Sequence, residues 1–264
     1  MSETVIETCG LRRAFGSLLA VDNLDLRVER QQFLGFLGPN GAGKSTTIKM
    51  LTGLLHPTAG SIRVLGLDLE HNAVEVKRRI GVVPEGLALF ERLTGTQLLN
   101  FVGRMYGLER DVAAQRAAGL LEFMDLRDAA DQIVADYSHG MKKKLALAAA
   151  VIHRPEILFL DEPFEGVDAI AARTLKSMLQ RFIARGGTIF LTSHVLEVVE
   201  RLCTHIAIID SGRLVVSASI EDLRAGVALP NAPAAAGGST LTLEQIFLNV
   251  LGGARSHPEE LRWL

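Results

Sequence analysis

Residues 33–46 read Phe33-Leu34-Gly35-Phe36-Leu37-Gly38-Pro39-Asn40-Gly41-Ala42-Gly43-Lys44-Ser45-Thr46. The first five form a compact apolar run, suited to a central strand buried on both faces. Glycines follow, and a helix is expected from near Gly43 to about Thr52. Strand, glycine-rich turn and helix, with the spacing Gly-x4-Gly-Lys-Ser, let successive backbone N–H groups curl around phosphate oxygens. The helix N-terminus adds its partial positive charge. Lys44 then neutralises the β- and γ-phosphates, and the Ser45 hydroxyl ligates Mg²⁺. Gly38, Pro39, Asn40, Gly41, Ala42, Gly43, Lys44, Ser45 and Thr46 are the nucleotide-binding candidates, with ATP and Mg²⁺ as the expected ligands.

A second apolar run, Ile157-Leu158-Phe159-Leu160, ends in Asp161-Glu162-Pro163. A strand beside the phosphate loop would carry Asp161 toward Mg²⁺, through water. Glu162 would then polarise the water that attacks the γ-phosphate, a general-base role.

Further out, Leu24, Leu26 and Val28 alternate with Asp25 and Arg27, a half-buried strand pattern among the short strands expected in the first third. Ser61–Leu65 and Ile80–Val83 are further strands, the second halted by Pro84. From about Leu87 to His153 apolar residues recur at helical spacing (Leu98, Phe101, Val102 and Met105, then Leu120, Leu121 and Met124), which predicts a mostly helical insert. Strand–helix alternation returns with strands at Ile157–Leu160, Thr188–Leu191 and Ile206–Ile209. The expected class is α/β, a largely parallel sheet covered by helices. Ala225–Ser239, rich in Ala, Gly and Pro, is expected to be a connector. Leu243, Ile246, Phe247 and Val250 then mark one face of a short helix docked on the core.

The bulk numbers narrow the function. The chain has 264 residues and a formal net charge of -2, so no basic field draws in nucleic acid. Its two cysteines, Cys9 and Cys203, lack metal-ligand spacing and are expected to be reduced. No stretch approaches the ~18 uninterrupted apolar residues that span a bilayer. The opening MSETVIET has no basic and apolar leader, so a cytoplasmic protein is expected, with membrane association through a partner.

Between the two nucleotide motifs lies Tyr137-Ser138-His139-Gly140-Met141-Lys142, with Ser138 standing 23 positions before Asp161. This segment resembles the signature motif, usually LSGGQ, of the nucleotide-binding subunits of ATP-binding-cassette (ABC) transporters. Other elements of that family follow in order over residues 3–251. Phe15 matches the aromatic residue that stacks on adenine, with Val21 as its apolar neighbour. Glu85, after Pro84, stands at the loop that touches Mg²⁺ and the attacking water. Glu165-Gly166-Val167-Asp168 matches the loop across the dimer interface, where Asp168 is the usual acid. His194, in Leu191-Thr192-Ser193-His194, matches the histidine that contacts the γ-phosphate.

The resemblance implies a phosphate-loop ATPase core with a small antiparallel β part and an inserted helical subdomain. It divides the chain into an ATPase domain at 1–224 (core 1–86 and 154–224, helical subdomain about 87–153), a connector at 225–240 and a C-terminal helix and tail at 241–264. It implies Glu162, His194 and Glu85 as catalytic residues, and Ser45, Glu85 and Asp161 as metal ligands. It also implies a head-to-tail dimer, of identical or different cassettes, in which Ser138 and Gly140 of one subunit close over the ATP on Lys44 of the other. A separate integral membrane permease is the implied partner, and the cytoplasmic face of the membrane the implied location. His139 departs from the usual glycine, Met141 from glutamine and Glu85 from glutamine. With the ending Leu243-Glu244-Gln245-Ile246-Phe247, these variants point to bacterial-type exporters. The alternative is a soluble ABC-type mechanochemical ATPase, which usually carries long coiled coils or fused cassettes; a phosphate-loop kinase or GTPase would leave the signature and His194 unexplained. Leu87, Leu89 and Phe90 are candidates for an apolar edge that receives the permease. Ala254–Leu264, with Trp263, match no pattern.

Overall fold

The computed structural model describes residues 3–225 and 242–252. The chain opens with a hairpin, β1 (Thr4–Phe15) and β2 (Leu18–Glu29), two antiparallel strands of 12 residues each. β3 (Phe33–Leu37) leads through the glycine-rich loop into α1 (Lys44–Leu51). β4 (Ala59–Val64) returns beside β1 and carries the short β5 (Leu67–Asp68). After α2 (Ala73–Arg79) and β6 (Ile80–Val83) come three successive helices, α3 (Gly95–Met105), α4 (Arg110–Phe123) and α5 (His139–Val151). Alternation resumes with β7 (Ile157–Asp161), α6 (Ala169–Ala184), β8 (Thr188–Thr192), α7 (Leu196–Leu202) and β9 (His205–Asp210). β10 (Arg213–Ser219), α8 (Ile220–Arg224) and α9 (Leu243–Gly252) complete the described elements.

The strands form two sheets. One is antiparallel, in the order β2-β1-β4-β5; the other is ordered β10-β9-β3-β8-β7-β6, parallel except for β10. Period-2 alternation splits the apolar strands between two cores. Leu34 and Phe36 of β3, with Phe159 of β7 and Phe190 of β8, face the antiparallel sheet and α1. Phe33, Leu37, Leu158, Leu160, Ile189 and Leu191 face the helices on the other side. Every residue of β3, β7 and β8 is therefore buried. Phe190 packs between Phe36 and Phe159, at ring-centroid distances of 5.2 and 5.7 Å. Truncating one of these rings to alanine costs about 3–5 kcal/mol, because the sheet cannot collapse into the void.

Two expectations change. The opening strands are long, because a hairpin whose alternate residues (Ile6, Leu24, Leu26, Val28) are buried on one face gains packing from every added pair. In α3 the expected apolar face is rotated. Leu98 and Leu99 are buried, while Phe101 and Met105 are exposed, since α4 packs against the Gly103 side. The α9 face docks as expected, with Leu243 and Ile246 buried. Cys203 is buried beside Gly35, and burial pushes its thiol pKa up; Cys9 is exposed and likewise unpaired. Apart from Ala225, the connector expected at 225–240 lies outside the described residues, as does Ala254–Leu264. Among the described residues, no helix is long and apolar enough to cross a membrane.

Candidate functional site

The carboxyl ends of four parallel strands meet at one edge, where open α/β sheets bind ligands. β3 ends in the glycine-rich loop, β7 in Asp161, β8 in Thr192, and β6 runs toward Glu85. The turn into α1 needs Gly43: its φ is +104°, and a Cβ there would lie 2.4 Å from the Ala20 carbonyl oxygen of β2. α1 begins with no side-chain cap and no acidic residue in its first turn. α2, α4 and α7 likewise lack a side-chain cap, while α3, α5 and α6 are capped by Thr94, Ser138 and Asp168; α1 alone of these follows a glycine-rich loop. The first-turn N–H groups of α1 have no intrahelical acceptor and suit an anion. Lys44 is buried, and its Nζ donates to the carbonyls of Gly38 at 2.7 Å and Pro39 at 3.2 Å. A buried ammonium held only by neutral carbonyls beside an uncapped helix fits a polyphosphate.

The acidic pair divides its work. The Ser45 hydroxyl donates to Asp161 Oδ1 at 3.3 Å, and Thr192 Oγ1 donates to the same oxygen at 2.6 Å. One hydroxyl and one carboxylate fit Mg²⁺, which takes few protein ligands and completes its shell with phosphate and water. Among the described residues no cluster of three His, Cys, Asp or Glu forms an all-protein metal cage. Glu162 turns the other way. Its Oε2 accepts from the His194 backbone N–H at 3.3 Å and from His194 Nδ1 at 3.0 Å. Because a carboxylate oxygen only accepts, Nδ1 carries the proton, on a side chain that is half exposed. Glu162 itself is buried and has φ +48°, a left-handed backbone sparse outside glycine.

Among the remaining candidates, Phe15 is 45 % exposed rather than core, on the hairpin whose Ala20 and Val21 abut Gly43, and the Arg13 guanidinium lies 4.5 Å above its ring. Glu85 is exposed on the loop after β6. Ser138 and Gly140 open α5, where His139 and Gly140, not the exposed Ser138, meet the segment after β7 and the start of α6. Ser138 Oγ accepts from the Met141 N–H, His139 Nε2 donates to the Glu165 carbonyl at 3.2 Å, and a Cβ on Gly140 would lie 3.5 Å from Asp168 Oδ2. Asp168 Oδ1 accepts from the N–H groups of Ile170 and Ala171, so in this chain it caps α6. Leu87 and Leu89 pack on the helical core, whereas Phe90 is exposed and meets Phe101 edge to face at 5.2 Å.

Thr192 was not singled out from the sequence. It accepts from the Glu162 N–H at 3.1 Å while donating to Asp161, and so bridges both acids. The signal available was a hydroxyl directly after the apolar run Ile189–Leu191. Its register opposite Asp161 is tertiary information.

A glycine-rich loop feeding an uncapped helix at the carboxyl edge of a parallel sheet, facing a hydroxyl–carboxylate pair, defines a phosphate-loop nucleoside triphosphatase. The comparisons narrow this class. A family model described as ABC transporter matches residues 21–165, more than half of the chain. The daunorubicin resistance ATP-binding protein DrrA3 of Streptomyces coeruleorubidus is 40 % identical over 225 residues, covering 85 % of this chain and 71 % of that protein. The Nod factor export ATP-binding protein I of Cupriavidus metallidurans is 38 % identical over 219 residues, covering 83 % and 72 %. A solved ATP-binding subunit of an ABC transporter superposes with a TM-score of 0.83 at 28 % identity, covering 94 % of this chain and 99 % of that one. The chain belongs to the ABC transporter family. It is an ATP-binding subunit that hydrolyses ATP, and nothing favours the soluble mechanochemical alternative.

Proposed function

We propose that this subunit drives export through a separate integral membrane permease, closing head-to-tail on a second cassette at the cytoplasmic membrane face. Proteins of this family work with a permease and pair as cassettes. The similarity to ATP-binding proteins of export and drug resistance supports the outward direction. The observation that carries the chemistry is the uncapped first turn of α1 beside the Ser45–Asp161 pair and the Glu162–His194 pair.

ATP would stack its adenine on Phe15 and lay its triphosphate along the loop from Gly38 to Thr46. Lys44 would exchange the Gly38 and Pro39 carbonyls for phosphate oxygens, trading neutral hydrogen bonds for charge-assisted ones. Ser45 and Asp161, with Glu85 as the third candidate, would hold Mg²⁺, whose charge offsets that of the β- and γ-phosphates. For Glu162 to act as base, its carboxylate must turn from His194 to the attacking water. It takes the water's proton as oxygen bonds to the γ-phosphorus and the bond to the ADP oxygen breaks. His194, released, can donate to the γ-phosphate. Ser138 and Gly140 of the second subunit, at the N-terminus of its α5, would complete the γ-phosphate site. Asp168 would reach this interface as well as capping α6.

The test is affinity purification of the tagged protein from gently solubilised membranes. A stoichiometric multi-span membrane protein is expected. Recovery from the soluble fraction alone, without such a partner, would overturn the export reading and leave the ATP site intact.

A further inference from the structure

Lys142, Lys143 and Lys144 follow one another in α5, but they do different things. Lys142 pairs with Glu91 near the surface at 2.7 Å, and Lys144 reaches Asp125 at 3.8 Å. Lys143 is 2 % exposed and donates to the Glu162 backbone carbonyl at 3.0 Å. That carbonyl also accepts the Glu165 N–H at 3.2 Å, closing the turn that follows the catalytic acids. Burial lowers the Lys143 pKa, opposed by the charges of Glu165, Glu85, Asp161 and Glu162.

The partner is informative because of its conformation. A left-handed Glu162 persists only where its surroundings over-determine it. Thr192 fixes its N–H and His194 its carboxylate, both from β8 and the loop after it. Its carbonyl is fixed from α5. One helical turn earlier on the same face, His139 takes the Glu165 carbonyl. The N-terminal face of α5 thus grips both ends of the turn 162–165, while the tip of the same helix carries Ser138 and Gly140.

We infer that Lys143 is a positioning residue: it transmits the seating of α5 to the backbone of Glu162, so that the carboxylate is aimed for hydrolysis only while the signature turn is in place. This rests on Glu162 as the base.

The test is Lys143→Met in the full-length protein, a substitution of similar length without charge or donor, measured beside Lys143→Arg and Glu162→Gln. Expected for Lys143→Met is a fall in kcat of about 10- to 100-fold, the scale of a misplaced catalytic group. KM for ATP, affinity for a non-hydrolysable ATP analogue and thermal midpoint should stay close to those of the parent. Arginine, which retains a donor, should recover part of kcat. If Met does not fold, Lys143→Ala with added propylamine replaces it: an amine-dependent rise in kcat at constant KM supports the role, and a rate indifferent to amine overturns it. A Lys143→Met kcat within about 2-fold of the parent also overturns it. So does a joint loss of kcat, affinity and midpoint that arginine does not relieve, which would make Lys143 a packing residue. Near-normal turnover by Glu162→Gln would instead remove the base assignment. An inactive Glu162→Gln beside a fully active Lys143→Met removes only the inference.

Discussion

The phosphate loop and the signature turn are both glycine-containing turns that open a helix, and they are finished in opposite ways. α1 begins without a side-chain cap, its buried Lys44 resting on loop carbonyls, so the loop's donors await a ligand. α5 begins with its own cap, Ser138, and the side of the turn that faces inward is already satisfied by Glu165 and by packing on Ala171. Ser138 and His139 are exposed. The first turn leaves backbone donors open within one chain; the second is closed on its inner side and leaves an exposed surface. The same contrast accounts for two of the three departures from the family pattern, Glu85 on the loop after β6 being the third. His139 replaces glycine where its ring can lie on the Glu165 carbonyl, and Met141 replaces glutamine where it packs against the helical core. The phosphate loop, which must admit a polyphosphate to its backbone, carries no departure.

The largest effect should come from within the loop's own edge of the sheet. Glu162→Gln should lower the rate of ATP hydrolysis by about 10²–10⁴-fold while leaving ATP binding intact. An ATP-bound dimer should then accumulate in size-exclusion chromatography. Near-normal phosphate release by this variant would remove Glu162 from its role.

The comparison itself is broken or sharpened by mixing two inactive variants. Lys44→Ala disables the loop, and Ser138→Arg blocks the signature turn. If the turn serves the other subunit, mixed dimers contain one intact site and regain a fraction of the parent rate. If it serves its own chain, every mixture stays as inactive as its components, and the head-to-tail arrangement falls.

A smaller change is expected at the hairpin. Phe15→Ala should weaken ATP binding by about 5- to 10-fold, the low end of the worth of one base–aromatic stack. Affinity for inorganic tripolyphosphate should hold. Equal losses for both ligands would make Phe15 a support for the loop.

The smallest effect lies away from both turns. His153 stacks on Tyr106 at 3.6 Å, and its Nε2 donates to the Ile80 carbonyl. Its buried Nδ1 has no partner among the described residues. Burial, the largest cause, lowers its pKa below the ordinary 6.5, opposed by the Ile80 bond and assisted by Arg116. The unfolded chain therefore takes up a proton first, and stability should fall as pH drops from about 6.5 toward the lowered folded-state pKa. His153→Gln keeps a donor for Ile80 without titrating, so its thermal midpoint should fall less than the parent's between pH 7 and 5. Parallel curves would refute that assignment.

Much of this was legible in the chain. An all-apolar run before glycines identifies a strand buried on both faces, because no polar face is left for water. The loop, Asp161, Glu162 and His194 could each be placed at a strand end, because parallel strands deliver their carboxyl ends to one edge. Periodicity named the α3 residues but not their orientation. Phe101 and Met105 share a helical stripe with Leu98, and only the position of α4 decided which side was covered.

The sequence by itself determined the fold class, the phosphate loop and the order of the acids, since each depends on local pattern and spacing. The tertiary structure decided which residues act on one another across that pattern. Thr192 bridges both acids because β7 and β8 pair in register at Asp161. Glu162 is left-handed where three residues distant in sequence, Lys143, Thr192 and His194, hold it. Three consecutive lysines look alike as letters. Helical geometry turns each by about 100° from the last, and that rotation is what buries Lys143 against the carbonyl of Glu162.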